Sequence, residues 1–257
     1  PKTHQNQTRL STEEAFRLWE KTRLRYSLIN QINLLSNYTH DPDFQLVLKD
    51  INEVLQNQTK ILEKQLNKYS IKSPEPNTRD IEAAGNTEMI EDKCTARFVY
   101  NSLQQIVSKC FLALQDSILN DDIREILYEL TREDFNLFDH YIDYIIIKGW
   151  LEEPPLYKSL KNVNKRVATN EIWHLWKLLD NRYLSKQQTK FYIKYVMDKD
   201  FQIILNTGME IVEKQINKLE EILLDFGINL PRKFGKNIPS PESKEQFTDE
   251  YIFRVLF

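Results

Sequence analysis

One Glu-x-x-His pattern is the residue spacing in this chain that could support metal chemistry. Glu171 and His174 are three positions apart, so a helix would place their carboxylate and imidazole on one face. Helical bundles that bind two iron or manganese ions use two such pairs and a glutamate from each of two further helices. No second pair occurs, because Arg17 stands at the related position of the first half. We therefore interpret Glu171 and His174 as a surface pair at a helix end.

The mid-helix carboxylates that both halves of the chain share are Glu53 and Glu210. At about 100° per residue, each lies about 200° around the helix from the apolar seam. That angle points both side chains away from the core. We expect surface or rim residues, paired with arginines of the preceding helix. Those arginines are Arg25 and Arg182.

Asp134 falls on an apolar helical stripe, which places a carboxyl group in the core. A buried carboxyl must find a partner or stay protonated. We expect a hydrogen bond to a core Tyr or Gln rather than a metal ion, and His140 lies beside the same stripe. The sequence thus predicts no catalytic residue, no cofactor and no metal site. The residues to examine if metal were found are Asp134, His140, Glu53, Glu210, Glu171 and His174.

Cysteine chemistry is not expected either. Cys94 and Cys110 lie in one predicted helix, which separates them by about 24 Å and excludes a disulfide between them. Neither has a histidine at a recognisable spacing, as a nucleophile would need. Gln58 and Gln215 lie on helical seams, where a buried amide sets helix register. The aromatic residues predicted to pack in the core, instead of lining a cofactor pocket, are Trp19, Trp176, Tyr26 and Tyr183.

Many of these residues belong to a stretch of sequence that occurs twice in the chain. Residues 12–77 align with residues 169–234 without a gap, and 20 of the 66 pairs are identical. The identical pairs include Trp19 with Trp176 and Pro74 with Pro231. We interpret this as an internal duplication, in which each copy begins with two long helices joined by a tight turn.

Apolar periodicity predicts an all-α chain with four helices in the first copy and a long connection after the second helix. Hairpin, long crossover and hairpin is the connectivity of ferritin-like four-helix bundles. The predicted organisation is a tail over 1–10, a bundle over 11–150, a linker over 151–168 and a second copy over 169–257. The second copy is expected to be truncated after its second helix, with a crossover and the start of helix 3. A protein partner or self-association would then complete it.

Composition narrows the function classes further. A net charge of −3 without a Lys/Arg block disfavours nucleic-acid binding. No apolar run approaches the roughly 18 residues that a membrane span needs. Cysteines that cannot pair, with no visible signal peptide, favour a cytoplasmic protein.

Several local motifs resemble those of a known family. The motifs are a Trp-bearing first helix, the Asp-x-Asp-Phe start of the second helix at 41–44, and Lys-Gly-Trp-Leu at 148–151 followed by Pro154-Pro155. The chain resembles an uncharacterised family of duplicated ferritin-like proteins from Bacillus-type spore formers, distantly similar to the spore coat F proteins. The resemblance implies a fold and a sporulation context, and it implies no catalytic residue.

Three functions remain open at this point. The first is a non-enzymatic structural or interaction protein, associated with spores as the resemblance implies. The second is an atypical metal-dependent oxidoreductase of the ferritin-like class, and the third is a bundle that binds an apolar small molecule between its helices. The polarity of the bundle centre distinguishes them: carboxylates and imidazoles favour metal, a dry cavity favours a ligand, and a filled core leaves the surface as the functional part.

Overall fold

The computed structural model describes residues 9–75, 90–155, 168–235, 238 and 247–256. Those ranges contain seven α-helices and no strand, which confirms the all-α prediction. The predicted tail, the middle of the long connection, most of the linker and His4 lie outside the described residues. The helices are α1 Thr12–Ser36, α2 Pro42–Lys68, α3 Asp92–Asp116, α4 Asp121–Ile147, α5 Thr169–Tyr192, α6 Lys199–Asp225 and α7 Asp249–Leu256.

Local capping chemistry sets the helix ends. At the start of α1, the Ser11 hydroxyl accepts the Glu14 N–H, and the Glu14 carboxylate accepts the Ser11 N–H. Asp41 and Asn120 cap α2 and α4 through their side-chain oxygens. Gly149 ends α4 with a φ of 66°, a left-handed conformation that suits glycine, and the Trp150 N–H donates back to the Ile145 carbonyl at 2.8 Å.

The described residues fall into two compact units. Residues 9–75 and 95–150 form unit 1, whereas residues 90–94 and those after 150 form unit 2. Within unit 1, α1 runs parallel to α4 and antiparallel to α2 and α3. The contacts that fix these directions are Tyr26–Glu63 and Asn33–Asn52 between α1 and α2, Tyr100–Phe138 and Phe111–Phe135 between α3 and α4, Gln31–Ser102 and Lys21–Cys110 between α1 and α3, and Glu14–Asn120 and Arg25–Asp134 between α1 and α4.

All four helices of unit 1 contribute to one apolar core. Its residues come from one face of each helix, so packing that face against the other three removes it from water. The core cluster consists of Leu18, Leu62, Leu66, Ala113, Ile123, Leu127 and Leu130.

Unit 2 is built on the hairpin of α5 and α6. The antiparallel direction follows from the Tyr183–Glu220 and Lys186–Glu213 contacts. The bounds of α6 lie 157 residues after those of α2, at both ends. The short α7 packs against α5. Just before α7, the ring of Phe247 packs against that of Phe191 in α5 and against other rings. The core cluster of unit 2 consists of Trp176, Leu179, Tyr183, Ile216, Leu219 and Leu223.

The buried face of α1 differs from the predicted one. The three-four spacing of α1 predicts a core stripe of Ala15, Leu18, Trp19, Thr22, Tyr26 and Ile29. Leu18 and Thr22 are buried as predicted, but the other four are only half-buried. A second series of buried positions at three-four spacing lies one residue earlier along the helix and includes three charged side chains. Those positions are Glu14, Leu18, Lys21, Arg25, Leu28 and Ile32. Helix α1 also ends at Ser36, two residues before the expected Tyr38.

Candidate functional site

The centre of unit 1 holds two cations from one helix. Lys21 and Arg25 are four residues apart on α1, so their side chains lie on one face, and that face is turned toward the other helices. Their exposed fractions are 1% and 0%. A buried charge is costly unless it is paired and hydrogen-bonded, so the neighbours of these two residues decide what the centre can do.

Asp134 of α4 is the counter-ion for both cations. Its Oδ2 lies 2.5 Å from the Nη2 of Arg25 and 3.8 Å from the Nζ of Lys21. The same oxygen accepts a hydrogen bond from the Sγ of Cys110 on α3 at 2.9 Å. Asp134 is therefore buried as predicted, but its partners are Arg25 and Cys110, and the expected Tyr or Gln partner is wrong.

Gln58 of α2 completes the cluster. Its Oε1 accepts a hydrogen bond from the Nε of Arg25 at 2.9 Å, and its Nε2 donates to the Oε2 of Glu133 at 3.2 Å. One guanidinium thus joins α1 to α2 and α4. The predicted buried amide is confirmed at Gln58, whereas the related Gln215 of α6 is exposed.

Lys21 and Cys110 form the shortest polar contact between α1 and α3 within this cluster. The Nζ of Lys21 donates to the Sγ of Cys110 at 2.8 Å. Burial, together with the charge of Arg25, lowers the pKa of Lys21, which moves the side chain toward the neutral amine. Burial raises the pKa of Cys110, and the Asp134 charge adds to that shift, so the sulfur stays a thiol in this setting.

Two atoms of the cluster are buried without a hydrogen-bond partner among the described residues. They are the Nη1 of Arg25 and the Oδ1 of Asp134. The first is a donor and the second is an acceptor, and each belongs to a side chain that is almost fully buried. Buried polar atoms are normally paired, so this donor and acceptor mark the cluster as chemically incomplete.

Two carboxylates of α1, those of Glu14 and Glu20, bind groups outside the charged centre. The Oε1 of Glu14 accepts the backbone N–H groups of Leu119 and Asn120, at 2.9 and 2.8 Å, so it holds the turn between α3 and α4. Glu20 accepts hydrogen bonds from Arg17 and Lys109. Although burial opposes ionisation, these two cations lower the pKa of Glu20 below its usual range.

Unit 2 has an open face that includes the counterparts of three residues of the charged centre in unit 1, namely Leu178 for Lys21, Arg182 for Arg25 and Gln215 for Gln58. Leu178 and Ile211 are 40% and 52% exposed, and Ile204 is 59% exposed. Arg182, related to Arg25, is half-buried, and its Nε is buried without a hydrogen-bond partner in the described part of the chain. We call Leu178, Arg182, Ile204, Ile211 and Gln215 the open face.

Comparison with known proteins identifies the family. The sequence model of a family described as a protein of unknown function, DUF3231, matches residues 2–163 and again residues 158–257. This chain belongs to the DUF3231 family. No curated protein matches it.

One solved structure is similar to this DUF3231 chain. It is a protein of Bacillus halodurans C-125 that is provisionally described as a spore coat protein. The TM-score is 0.53 at 19% sequence identity, and the similarity covers 58% of this chain and 96% of that chain. At this identity the likeness shows a shared fold.

The candidate metal ligands of this DUF3231 chain do not come together. Glu53, Glu210, Glu171, His140 and His174 are all exposed, whereas Asp134 is buried. Among the described residues, no group of three or more His, Cys, Asp or Glu side chains is arranged to hold a metal ion. The carboxylate of Glu171 instead accepts the Ala168 N–H at the start of α5.

The donor set at the charged centre does not fit a dinuclear carboxylate site. Such a site needs four carboxylates and two imidazoles facing inward. Here one carboxylate and one thiol face two cations, and the cations would repel a metal ion.

Within the described ranges, no helix is long and apolar enough to cross a membrane.

The expected pairing of Glu53 with Arg25 is wrong. Glu53 is exposed, as predicted, and lies 4.0 Å from the exposed Lys49 one turn earlier. Arg25 is instead bound to Asp134 and Gln58 in the core. The sequence did contain a signal, since Lys21 and Arg25 continue the three-four spacing of Leu18 and Leu28.

Proposed function

We propose that this protein is a non-enzymatic structural protein, built on a duplicated ferritin-like scaffold, that assembles through the open face of unit 2. The observation that carries the proposal is the exposure of Ile204 and Ile211 on one side of α6. Isolated exposed apolar residues are ordinary, but a stripe at helical spacing beside a buried seam is typical of an interface.

The scaffold part of the proposal rests on topology and on the two matched stretches. A parallel α2 and α3, separated by a long connection, is the arrangement of ferritin-like bundles. The coincidence of the α2 and α6 bounds at an offset of 157, with a family model that matches twice, supports duplication.

The occupant that suits the open face is a second copy of the same hairpin. In unit 1, the hairpin of α1 and α2 is covered by α3 and α4, which have 25 and 27 residues. Helices α5 and α6 have 24 and 27 residues, so a second α5–α6 hairpin has the length needed to cover the first. Two identical hairpins related by a two-fold axis would form a four-helix interface.

A sporulation setting is the biological part of the proposal. Its support is the similarity of the fold to the Bacillus halodurans protein that is provisionally described as a spore coat protein. Immunodetection of the protein in extracts of purified spore coats would support this setting, and its absence from coats and presence only in vegetative cells would contradict it.

Sedimentation velocity over a range of concentrations tests the assembly. We expect wild-type protein to shift from monomer to dimer, and an Ile204→Glu/Ile211→Glu variant to remain monomeric. The matched control is Leu46→Glu, because Leu46 is an exposed aliphatic residue of α2 outside the open face. Self-association would be contradicted if the wild-type protein stayed monomeric, even if it bound a different protein. It would also be contradicted if both variants shifted equally from monomer to dimer.

The charged centre argues against the metal-dependent alternative. Its side chains bind one another across four helices, and its two basic side chains would repel a metal ion. The arrangement stabilises one packing of the bundle and leaves the surface to carry the function.

A further inference from the structure

The amine of Lys21 and the thiol of Cys110 lie close enough to react with each other, which a purely structural role would not require. The Nζ and Sγ atoms are 2.8 Å apart, closer than the van der Waals radii of nitrogen and sulfur allow without attraction or bonding. The residues lie 89 positions apart in sequence, on α1 and α3. Both side chains are buried, so the surrounding core holds them at this distance.

We propose that Cys110 and Lys21 form a reversible covalent cross-link, a sulfur–nitrogen bond of the sulfenamide class, when the protein meets hydrogen peroxide. The carboxylate of Asp134 and the guanidinium of Arg25 assist the reaction. Sulfenic acids are known to condense with nitrogen nucleophiles in this way. The cross-link would join α1 to α3 through the charged centre.

The first step oxidises the sulfur. Asp134 Oδ2, which already accepts the Cys110 hydrogen bond, takes the thiol proton as the sulfur attacks one peroxide oxygen. The O–O bond breaks, and the leaving hydroxide takes that proton to become water. The products are a sulfenic acid and one water, so sulfur loses two electrons and peroxide gains them.

The unpartnered atoms of the cluster suit this oxidant. Hydrogen peroxide both donates and accepts hydrogen bonds, and it is close to water in size. Asp134 Oδ1 provides an unused acceptor on the carboxylate that binds the thiol, and Arg25 Nη1 provides an unused donor on the guanidinium paired with that carboxylate. The cluster could therefore form hydrogen bonds with peroxide, which an apolar core around a thiol could not do.

The second step forms the bond between the helices. The lone pair of Lys21 Nζ attacks the sulfur, the S–O bond breaks, and the hydroxide leaves with the proton released from nitrogen as a second water. Thiol, amine and one peroxide thus give one S–N bond and two waters. The neutral amine is the form that can attack, and the lowered pKa of Lys21 favours that form.

Burial sets the rate and the selectivity. Thiols with a raised pKa react slowly, so the first step should depend on local opening of the bundle. Lys109, the neighbour of Cys110 in sequence, is directed to Glu20 and is partly exposed. The link should therefore join Cys110 to Lys21 and leave Lys109 unmodified.

Peptide mapping of the whole protein tests the proposal. The protein is treated with hydrogen peroxide, denatured with an alkylating agent in the absence of reductant, and digested with trypsin. We expect residues 18–23, uncleaved at Lys21, to be joined to residues 110–124, with the summed mass reduced by two hydrogens. Dithiothreitol should separate the two peptides, because a thiol attacks the sulfur and releases the amine.

Three variants distinguish the link from general oxidation. Lys21→Arg keeps a cation but cannot form the bond, so Cys110 should become reactive to a 1,3-dione probe of sulfenic acids. Cys110→Ser should abolish the linked peptide, whereas Lys109→Arg should leave it unchanged. The proposal is overturned if wild-type Cys110 is alkylated after peroxide treatment, if it proceeds to sulfinic acid without a link, or if the joined peptides retain an oxygen.

Discussion

Arg25 of α1 and Asp134 of α4 form an ion pair at 2.5 Å, with 0% and 1% of their side chains exposed. The pair lies at the level where Gln58 and Cys110 also meet it, so four helices converge on two charged groups. Because both charges are buried, removing one partner alone should cost the bundle more stability than replacing both together.

Asp134→Asn should destabilise unit 1 by about 3–5 kcal/mol, because it leaves the buried guanidinium of Arg25 without a counter-ion. Hydrogen exchange on peptides of α1–α4, followed as a function of denaturant, measures the free energy of unfolding for this unit. The matched variant is the triple replacement Lys21→Met/Arg25→Met/Asp134→Leu, which removes all three charges together. We expect it to be close to wild type, and equal losses in both variants would mean that packing, not charge, holds the centre.

Glu14→Ala should also destabilise unit 1, because one carboxylate serves backbone donors at two places. It accepts the N–H of Ser11 and the N–H groups of Leu119 and Asn120. Each donor left buried and unpaired costs roughly 1–3 kcal/mol. Glu13→Ala, at the exposed neighbouring position, is the control. The same exchange experiment should show the largest loss of protection in the turn between α3 and α4, and an unchanged turn would refute this role.

The acid stability of unit 1 should depend on Glu20. Its pKa is lowered below the model-compound value of 4.5, so the folded state binds its proton less readily than the unfolded state. The stabilisation is complete above that value and is lost as the pH falls through the lower pKa of the folded state. Denaturation midpoints measured between neutral and acid pH should fall less steeply for Glu20→Gln than for wild type. Glu53→Gln, at an exposed position, should leave the slope unchanged.

Amides of α6 should exchange faster than those of α2 at low protein concentration. The two helices have equal length, but Val54 is half-buried and Gln58 is buried in α2, whereas their counterparts Ile211 and Gln215 are exposed in α6. Assembly through the open face should slow exchange in α6 as the concentration rises. Equal protection of both helices in the dilute protein would contradict the open face.

Helix type and helix ends could be predicted from the sequence because they depend on local chemistry. Ser11 with Glu14, Asp41 with Pro42, and Gly149 each act within one turn of the residue that they cap. The turns and the long α2 seam follow from the same short-range rules.

The charged centre could not be predicted in full, because its partners are far apart in sequence. Arg25 and Asp134 are separated by 109 residues, and although Arg25 continues the three-four spacing of Leu18 and Leu28, that spacing does not identify its counter-ion. The expected core stripe of α1 left out Lys21 and Arg25, so most of it lay one residue too late. Asp134 on an apolar stripe indicated one member of the buried ion pair. A cation on the apolar stripe of a facing helix would have indicated the other member.

A bundle centre made of ion pairs and hydrogen bonds between Lys21, Arg25 and Asp134 should not bind a metal ion. The most direct test is the iron, manganese and zinc content of protein purified without a metal-binding tag or chelator, with thermal unfolding measured before and after these metals are added. We expect metal well below one ion per chain and an unchanged unfolding midpoint. About two ions per chain, lost on Asp134→Ala in protein that remains folded, would contradict the account.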